Sequence, residues 1–492
     1  MELQNLTADP FKGEPSRKSA FLFKVKLFVR RDALLLLTIA GIVVGFGVGF
    51  GVRELHPSKD ALMWIGMPGE LFLRMLRMMI LPLIVCSVIS GTASLDPKSN
   101  GKVSAIAFAF IVATNSLVCI EAIALHFIIQ PGAEELSIDE SATREIMETQ
   151  DIFADMLRNI VPDNLVEATF RQAQTRYASS LTGVARNNTN TSVGDALTHV
   201  TKSLGKTDSV NVLGLITACT IIGMAASALK DKADVFLKFF SAATEIVLLI
   251  LRKFFWVAPL GIGSLIAVSV AGVSNITGTF SQLGMFVVAV TVGILFHSFV
   301  VLPAILFALT RRNPYAYLLT IIRPCLIGFA STSTAVAIPE MLESCEVKNG
   351  IDSRVSRFVI PFSVTLNADG SALYITSAAL FIANLSGVEV TTGVVAIIGV
   401  LTAVAAMAIP SVPSSSIVTL FIILTSANIP VDHIALLFAV EWFLDRIRTP
   451  TNIVSHTFNA AVTYRFCKAD LRALDEARTK EEEAEITSIS PA

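Results

Sequence analysis

The stretch LLLLTIAGIVVGFGVGFGV, residues Leu34–Val52, has no charged side chain and is about as long as a helix that crosses a lipid bilayer. Its closely spaced glycines predict a small-residue face on which another membrane helix packs; they are Gly41, Gly45, Gly47, Gly49 and Gly51. Apolar runs recur along the chain, at Ile80–Thr92, Ala105–Gln130, Val210–Ala228, Val257–Val273, Leu283–Leu309, Ala378–Ile409 and Ile417–Val440. This pattern predicts a helical protein that crosses a membrane many times.

The overall composition agrees with a membrane protein. Hydrophobic residues make up 53% of the 492 residues and charged residues only 16%, whereas soluble domains have about 25% charged residues. This composition excludes a soluble globular, a fibrous and a disordered chain. The net charge of -2, without a basic stripe interleaved with aromatic residues, gives no indication of nucleic-acid binding. The six cysteines lie in or near apolar runs, so a disulfide framework is not expected.

Basic residues predict the orientation in the membrane. They cluster in residues 1–31 and in short loops at Lys98/Lys102, Lys230/Lys232 and Arg311/Arg312, which places these segments and both termini in the cytoplasm. Residues 131–209 then lie outside the cell. This segment contains two sequons, at Asn187 and Asn190, which predict N-glycosylation. We therefore expect a multi-pass glycoprotein of the plasma membrane.

The second half of the chain differs from the first, because polar islands of small residues interrupt its apolar runs. The islands are Ser331–Pro339, Asn367–Ser371, Pro410–Ser416 and Asp445–Asn452. Non-helical backbone survives at membrane depth only where protein or water buries it. The first and third islands predict re-entrant hairpins, and the other two predict broken or polar-faced spanning helices. Such interruptions are typical of a transporter's binding site at the membrane midplane.

Ionisable side chains in these membrane-compatible segments are costly and indicate function. Asp445, Arg448, Asn452 and His456 are spaced three or four residues apart, which puts them along one face of a helix. That face offers an acceptor for an ammonium group and a planar fork for a carboxylate, so it suits an acidic amino acid. The alternative is an Asp445–Arg448 ion pair that only joins helices.

Other interruptions carry weaker predictions. Glu121, His126 and His297 are isolated in apolar runs and are expected to be packing or boundary groups. Pro450, inside the last apolar helix, is expected to unwind it locally.

Several long segments resemble the excitatory amino acid transporter family, the sodium-coupled glutamate and aspartate transporters that also include neutral amino acid exchangers. The resemblance runs from about Arg30 to Arg465, and it rests on Gly69–Val85, Asp151–Gln172, Asn349–Pro361, the Asn367–Ser371 island and Asp445–Thr449. It implies an all-α polytopic membrane protein with eight transmembrane helices and two re-entrant hairpins. It also implies a homotrimer in the lipid bilayer, elevator-type alternating access and an anion conductance.

The resemblance further implies a division of the chain. A cytoplasmic tail (1–29) and another (464–492) flank a scaffold and a mobile transport domain. The scaffold takes residues 30–102 and 131–278, with a large extracellular loop at about 131–208. The transport domain takes 103–130 and 279–463, with hairpins at about 316–345 and 391–428.

The resemblance also implies roles for individual residues. Ser333 and Thr334 would hold the substrate α-carboxylate, and Asp445 would hold the ammonium group. Arg448 and Ser371 would hold the side-chain carboxylate, with further contacts from Val412, Thr449 and Asn452. The residues implied at sodium sites are Thr114, Ser116, Ser363, Asn367, Asp369 and Asn452.

Departures from the family pattern concern the coupling ions. Ala368 stands where a methionine is expected, and Ile375 stands where glutamate transporters have a glutamate, which puts proton and potassium coupling in doubt. Glu441 stands where an aspartate is usual. His456 replaces an aspartate that closes a sodium site; imidazole is a poor ligand for a hard cation. We therefore expect sodium as the coupling ion in reduced number, with a proton as the alternative and no other cofactor.

These observations predict a secondary transporter of acidic amino acids. Two alternatives remain at this point: a transporter of neutral amino acids or other small acids on the same fold, and a protein that is mainly an anion channel. An enzyme is not expected, because the serine-rich islands lack a Gly-x-Ser-x-Gly motif and no metal-ligand pair has catalytic spacing.

Overall fold

A computed structural model describes residues 33–93, 101–132, 149–181, 198–272, 276–411, 413–431 and 433–489. Val412, Asn187, Asn190 and the tail 1–29 lie outside these ranges. The helices are α1 (Ala33–Glu54), α2 (Lys59–Ala93), α3 (Gly101–Ile129), α4 (Thr149–Ile160), α5 (Val212–Ala228), α6 (Asp234–Phe254), α7 (Ala258–Gly272), α8 (Ile276–Phe296), α9 (Leu302–Thr310), α10 (Pro314–Thr320), α11 (Ile322–Ser331), α12 (Ile338–Glu343), α13 (Ser353–Leu366), α14 (Asp369–Leu385), α15 (Thr392–Ala405), α16 (Ser415–Ser426) and α17 (Ile434–Ile489).

Helices long enough to cross a membrane occur along most of the described part of the chain. Six helical stretches there are long and apolar enough to cross a membrane, and a seventh counts if α10 and α11, bent by 57°, form one span. The six are Leu36–Glu54, Lys59–Ala93, Gly101–Ile129, Asp234–Gly272, Thr277–Thr310 and Ser353–Leu385. The chain is therefore a multi-pass helical membrane protein, and the arrangement of eight spans with two re-entrant hairpins stays a prediction.

The expectation of an all-α fold is wrong in the segment before α5. Strands β1 (Gln172–Leu181) and β2 (Thr198–Thr207) form an antiparallel hairpin in which Gln172 pairs with Thr207. Helix α4 fixes the start of β1, because the Asn159 side chain exchanges two hydrogen bonds of 2.9 Å with the backbone of Ala173. The segment is polar and rich in Thr and Ser, so a strand pair forms there without an apolar face.

Two compact units divide the chain. Among the described residues, the first contains 33–73 and 253–272, and α1 packs on α7 within it. A Cβ atom added to Gly45 would lie 2.5 Å from the carbonyl oxygen of Gly263, and one added to Gly41 would lie 2.2 Å from that of Pro259. The glycines thus let the two backbones touch. The predicted small-residue face is confirmed at these positions and at Gly49, whereas the prediction is wrong at Gly47 and Gly51, which have no neighbouring atom within 4 Å of an added Cβ.

The second unit contains the rest of the chain, and α14 and α17 form its centre. Almost every residue of α14 is buried, as is the stretch of α17 from Thr451 to Thr463. The expected unwinding at Pro450 is wrong, because α17 continues through this residue without interruption. Neighbouring helices surround this part of α17 and hold it although one backbone N–H is missing. The predicted scaffold and transport domains stay a prediction.

Three breaks in helices bring the polar islands together in the second unit. Helix α11 ends at Ser331, and the following Thr332 has a φ of 52° in the turn before α12. After α15, a 3-10 turn at Ala406–Ala408 gives way to non-helical backbone, and Ser414, just before α16, has a φ of 57°. Asn367 and Ala368 adopt non-helical backbone between α13 and α14. Each break exposes backbone polar groups inside the protein, next to α17.

Candidate functional site

A polar cavity of about 30 Å³ lies where the three breaks meet α17. This space accommodates about two water molecules, so it is closed against anything as large as an amino acid. Its lining comes from the first break, the second break, the α13–α14 break and α17. The lining residues are Thr332, Thr334, Val364, Asn367, Ala368, Ser371, Ile409, Pro410, Ser411, Ser415, Asp445, Thr449 and Asn452.

The predicted substrate-binding residues divide into two groups. Those that line the cavity are Thr334, Ser371, Asp445, Thr449 and Asn452. Ser333 and Arg448 are next to these residues in sequence, yet they are bonded to other protein groups. The polar face predicted on α17 therefore exists, but its members do not all turn toward the same space.

Ser411 connects the first and second breaks. Its carbonyl oxygen accepts a 2.8 Å hydrogen bond from the Ser333 hydroxyl, and its own hydroxyl lies 3.0 Å from that of Thr334. The same Ser411 hydroxyl donates to the carbonyl oxygen of Val364, at 2.9 Å. These bonds hold Ser411 against the first break and against α13. We call this set of contacts the Ser411 latch.

Arg446 fixes the end of α11 from outside the cavity. Its guanidinium donates to the carbonyl oxygens of Phe329 and Ala330, at 3.0 and 2.9 Å. These carbonyls belong to the last turn of α11, whose C-terminal oxygens have no partner within the helix. Arg446 therefore ties the end of α11 to α17.

Asp445 is hydrogen-bonded to the second break. Its Oδ2 accepts a 3.0 Å hydrogen bond from the backbone N–H of Ser414. A substrate ammonium group at Asp445 would compete with this bond. The second break thus places a backbone donor where the ammonium is predicted to bind.

Arg448 forms a buried charged cluster with two carboxylates of its own helix. Glu441 holds it in bidentate fashion, with Oε1 2.6 Å from Nη2 and Oε2 3.2 Å from Nη1. Asp445 Oδ1 lies 2.8 Å from Nη2, and the Tyr374 ring lies 4.6 Å from the guanidinium carbon. The Arg448 side chain is only 2% exposed. The cluster combines one positive and two negative charges, and both terminal nitrogens of Arg448 already have carboxylate partners.

The seven-residue spacing of Glu441 and Arg448 indicates that they are in contact, although Glu441 is not among the predicted site residues. Seven residues are two helical turns, so Glu441 and Arg448 lie on one face of α17. A long arginine side chain leans toward the N-terminus of its helix and meets a group placed there.

His456 occupies the predicted altered sodium site. The fully buried ring places Nε2 2.9 Å from the carbonyl oxygen of Asn367. A carbonyl oxygen only accepts, so Nε2 carries the proton and donates it. An N–H group directed at this oxygen repels a cation from it, so these residues do not fit a sodium ion. The neighbouring Ala368 and Ile375 are also buried and apolar.

Asp369 lies in a second polar cluster in which it meets His297. His297 Nε2 is 3.6 Å from Asp369 Oδ2, and His297 Nδ1 is 2.9 Å from Glu121 Oε2. The expectation that Glu121 and His297 are isolated packing groups is therefore wrong. Short-range sequence patterns did not reveal this contact, because the three residues come from α3, the turn after α8 and α14.

The surroundings of Asp369 fit a hard cation. Neither Asp369 oxygen has a hydrogen-bond partner among the described residues, and the same holds there for the side-chain oxygen of Asn367. Carboxylate and amide oxygens are suitable ligands for such an ion. Thr114 is buried on α3, Ser116 is half-buried, and Asn115, which the sequence reasoning passed over, is fully buried. Both polar atoms of the Asn115 amide lack a partner in the described part of the chain.

The other predicted sodium ligands already have protein partners. Ser363 Oγ accepts from Asn459 Nδ2 at 3.0 Å, and Asn452 Oδ1 accepts from the backbone N–H of Gly370 at 2.8 Å. These contacts bind the α13–α14 break to α17. They position the carbonyls around the break rather than leaving the side chains open.

A multi-pass helical protein with broken helices around a buried polar cavity is, by this architecture, a membrane transporter. Residues 34–466 match the family described as the sodium:dicarboxylate symporter family, and the chain belongs to this family. It is accordingly a transporter and not an enzyme, and the family description implies coupling to a cation.

Individual relatives agree over most of their length. The chain is 35% identical over 454 residues to a Caenorhabditis elegans protein named excitatory amino acid transporter, covering 91% of this chain and 90% of that one. It is 36% identical over 454 residues to the Onchocerca volvulus protein of the same name, covering 91% and 92%. It is 34% identical over 471 residues to human neutral amino acid transporter A, covering 94% and 86%.

Proposed function

We propose that this protein carries acidic amino acids across the plasma membrane by secondary active transport. The observation that carries the proposal is the pairing of Asp445, which lines the cavity, with Arg448 directly behind it. Asp445 provides an anion for the substrate ammonium, and Arg448 provides a cation for a side-chain carboxylate. The names of the relatives, excitatory amino acid transporters among them, support an amino acid as the cargo.

The transport cycle starts from the closed cavity. Opening of the Ser411 latch withdraws Ser414 from Asp445 and admits the substrate from one side. The domain that contains the cavity then slides across the membrane as an elevator within a homotrimer, with the anion conductance at its boundary. The glycosylated loop faces outward and both termini face the cytoplasm.

Sodium coupling is reduced in this transporter. The His456 N–H group takes over the Asn367 carbonyl that a sodium ion would otherwise need. Asp369, Asn367 and Thr114 would hold one sodium ion, which would share the Asp369 carboxylate with the His297 ring 3.6 Å away.

A second candidate function is transport of neutral amino acids. Glu441 favours it, because this carboxylate already holds both terminal nitrogens of Arg448 and leaves the cluster net negative. One relative, neutral amino acid transporter A, supports the same candidate.

Uptake into proteoliposomes tests the proposal. Labelled aspartate is offered while sodium, proton and potassium gradients are varied one at a time, and unlabelled aspartate, alanine and serine compete. We expect aspartate uptake that a single sodium or proton gradient drives. Asp445→Asn should abolish it, whereas Asp208→Asn, which removes a carboxylate of 88% exposure, should not. Uptake of alanine or serine without aspartate favours the second candidate. Anion currents without amino acid uptake contradict both.

A further inference from the structure

We propose that Glu441 is an internal carboxylate ligand of Arg448 that sets substrate specificity, and that an acidic amino acid binds only when Glu441 takes up one proton. The inference rests on the proposed function, because it specifies how the same site accepts a second substrate carboxylate.

A carboxylate of the protein already occupies both terminal nitrogens of Arg448. Glu441 takes the two terminal nitrogens at 2.6 and 3.2 Å, which is the bidentate geometry that a substrate carboxylate would adopt. Asp445 takes a further position on Nη2 at 2.8 Å. A substrate side-chain carboxylate therefore meets a guanidinium that has already been neutralised.

The net charge of the site depends on the substrate. Arg448 contributes one positive charge, and Glu441 and Asp445 contribute two negative charges. The substrate ammonium neutralises Asp445, and the α-carboxylate adds one negative charge in neutral and acidic amino acids alike. A neutral amino acid therefore leaves the net charge of the site unchanged, whereas an acidic one adds one negative charge to a buried site.

Glu441 loses its contact with Arg448 when a substrate carboxylate displaces it. Its side chain is 3% exposed, so an ionised carboxylate without its cation has neither water nor a counter-ion to stabilise it. A proton from the aqueous phase forms an O–H bond on the displaced carboxylate and returns the site to the net charge that it has with a neutral amino acid bound. The Tyr374 ring lies over the same guanidinium, and Tyr374, Asp445 and Arg448 are the ionisable groups that face Glu441.

The other buried ionisable groups named above do not contact Glu441. His456 contacts Asn367, and Glu121 and His297 belong to the cluster around Asp369. A proton taken up by these groups would not depend on Glu441, so substitution of Glu441 separates the two sources.

Calorimetric titration of the purified full-length protein with L-aspartate tests the proposal. Titrations are run from pH 5.5 to 8.5 at constant sodium, in two buffers with different ionisation enthalpies, which count the protons taken up. We expect about one proton per aspartate, and a dissociation constant that rises about tenfold per pH unit over the range in which Glu441 is ionised. In Glu441→Gln, proton uptake should vanish and the dissociation constant should no longer depend on pH. The matched control, Glu389→Gln, removes an exposed carboxylate and should behave like the unmodified protein.

Each outcome decides the question. Aspartate binding without proton uptake in the unmodified protein overturns the inference and leaves the proposed function standing, and this result does not require that the Glu441 variant fold. Proton uptake that persists in Glu441→Gln also overturns it. Failure of aspartate to bind at any pH overturns the inference and the acidic-substrate function together.

Discussion

The substitution His456→Asp is the sharpest perturbation of ion coupling that the site offers. It removes the ring whose Nε2–H donates to the Asn367 carbonyl and leaves a carboxylate in a fully buried position. The new carboxylate and the released carbonyl together form an oxygen site suited to a sodium ion. The variant should therefore require sodium that the unmodified protein does not.

The expected loss of folding stability follows from the burial of the new carboxylate. A buried charge without a partner destabilises a protein by about 3–5 kcal/mol, and the lost hydrogen bond to the carbonyl adds about 1 kcal/mol. In choline chloride the variant should be less stable than the unmodified protein by about 4 kcal/mol or more. Sodium binds the folded state and should restore most of the lost stability. A sodium concentration of one hundred times the dissociation constant for sodium should restore about 2.7 kcal/mol.

Thermal unfolding of the purified protein in sodium chloride and in choline chloride measures this effect. The sodium dependence of aspartate binding, measured in the same preparations, should become steeper by one ion in His456→Asp. His456→Asn is the matched control, because it removes the ring without adding a charge and should gain no sodium requirement. A steep, multi-ion sodium dependence in the unmodified protein would refute the reasoning, as would a His456→Asp variant whose sodium dependence is unchanged.

Three further substitutions test the rest of the structure. Arg448→Thr should weaken aspartate binding by more than about a hundredfold, because buried carboxylates lose a cation at a cost of about 3–5 kcal/mol; unchanged affinity in calorimetry contradicts the assignment. Ser411→Ala removes the two hydroxyl hydrogen bonds of the latch, worth about 1–3 kcal/mol together, and should lower the apparent dissociation constant of substrate about fivefold or more; an unchanged value argues against the latch. Gly45→Val should lower the unfolding temperature through a steric clash of about 1–3 kcal/mol, whereas Gly47→Val, which faces open space, should not; equal effects would contradict the α1–α7 packing.

The membrane architecture was predictable because it depends on local properties of the chain. Apolar length and the glycine spacing in Leu34–Val52 give a spanning helix and its packing face without knowledge of any partner. Three of the four polar islands likewise gave the places where helices break, since non-helical backbone at membrane depth requires a buried setting, whereas Asp445–Asn452 lies within the unbroken α17. The β1–β2 hairpin was not predictable in this way, because its polar residues carry no apolar alternation.

The contacts within the site were less predictable because they join residues that are distant in sequence. Helical spacing placed Asp445, Arg448, Asn452 and His456 on one face of α17, and two of them, Asp445 and Asn452, line the cavity. The same spacing could not show that Arg448 turns to Glu441, or that His456 reaches the carbonyl of Asn367. These choices depend on which group lies opposite in the folded protein.

Internal groups occupy positions in this site that external ions and ligands would otherwise take. The His456 N–H lies against the Asn367 carbonyl, the Glu441 carboxylate holds Arg448, and the Ser414 N–H holds Asp445. Each of these contacts stabilises the closed, substrate-free protein, because it gives a buried polar group a partner that would otherwise be missing. Substrate must displace two of them, at Arg448 and at Asp445, and its binding free energy is reduced by what those contacts contribute. The contact at His456 need not be displaced, since no substrate group is assigned there. We infer that Glu441 and Ser414 set substrate affinity and selectivity, whereas His456 sets the number of coupled ions, so the two properties should change independently when these residues are substituted.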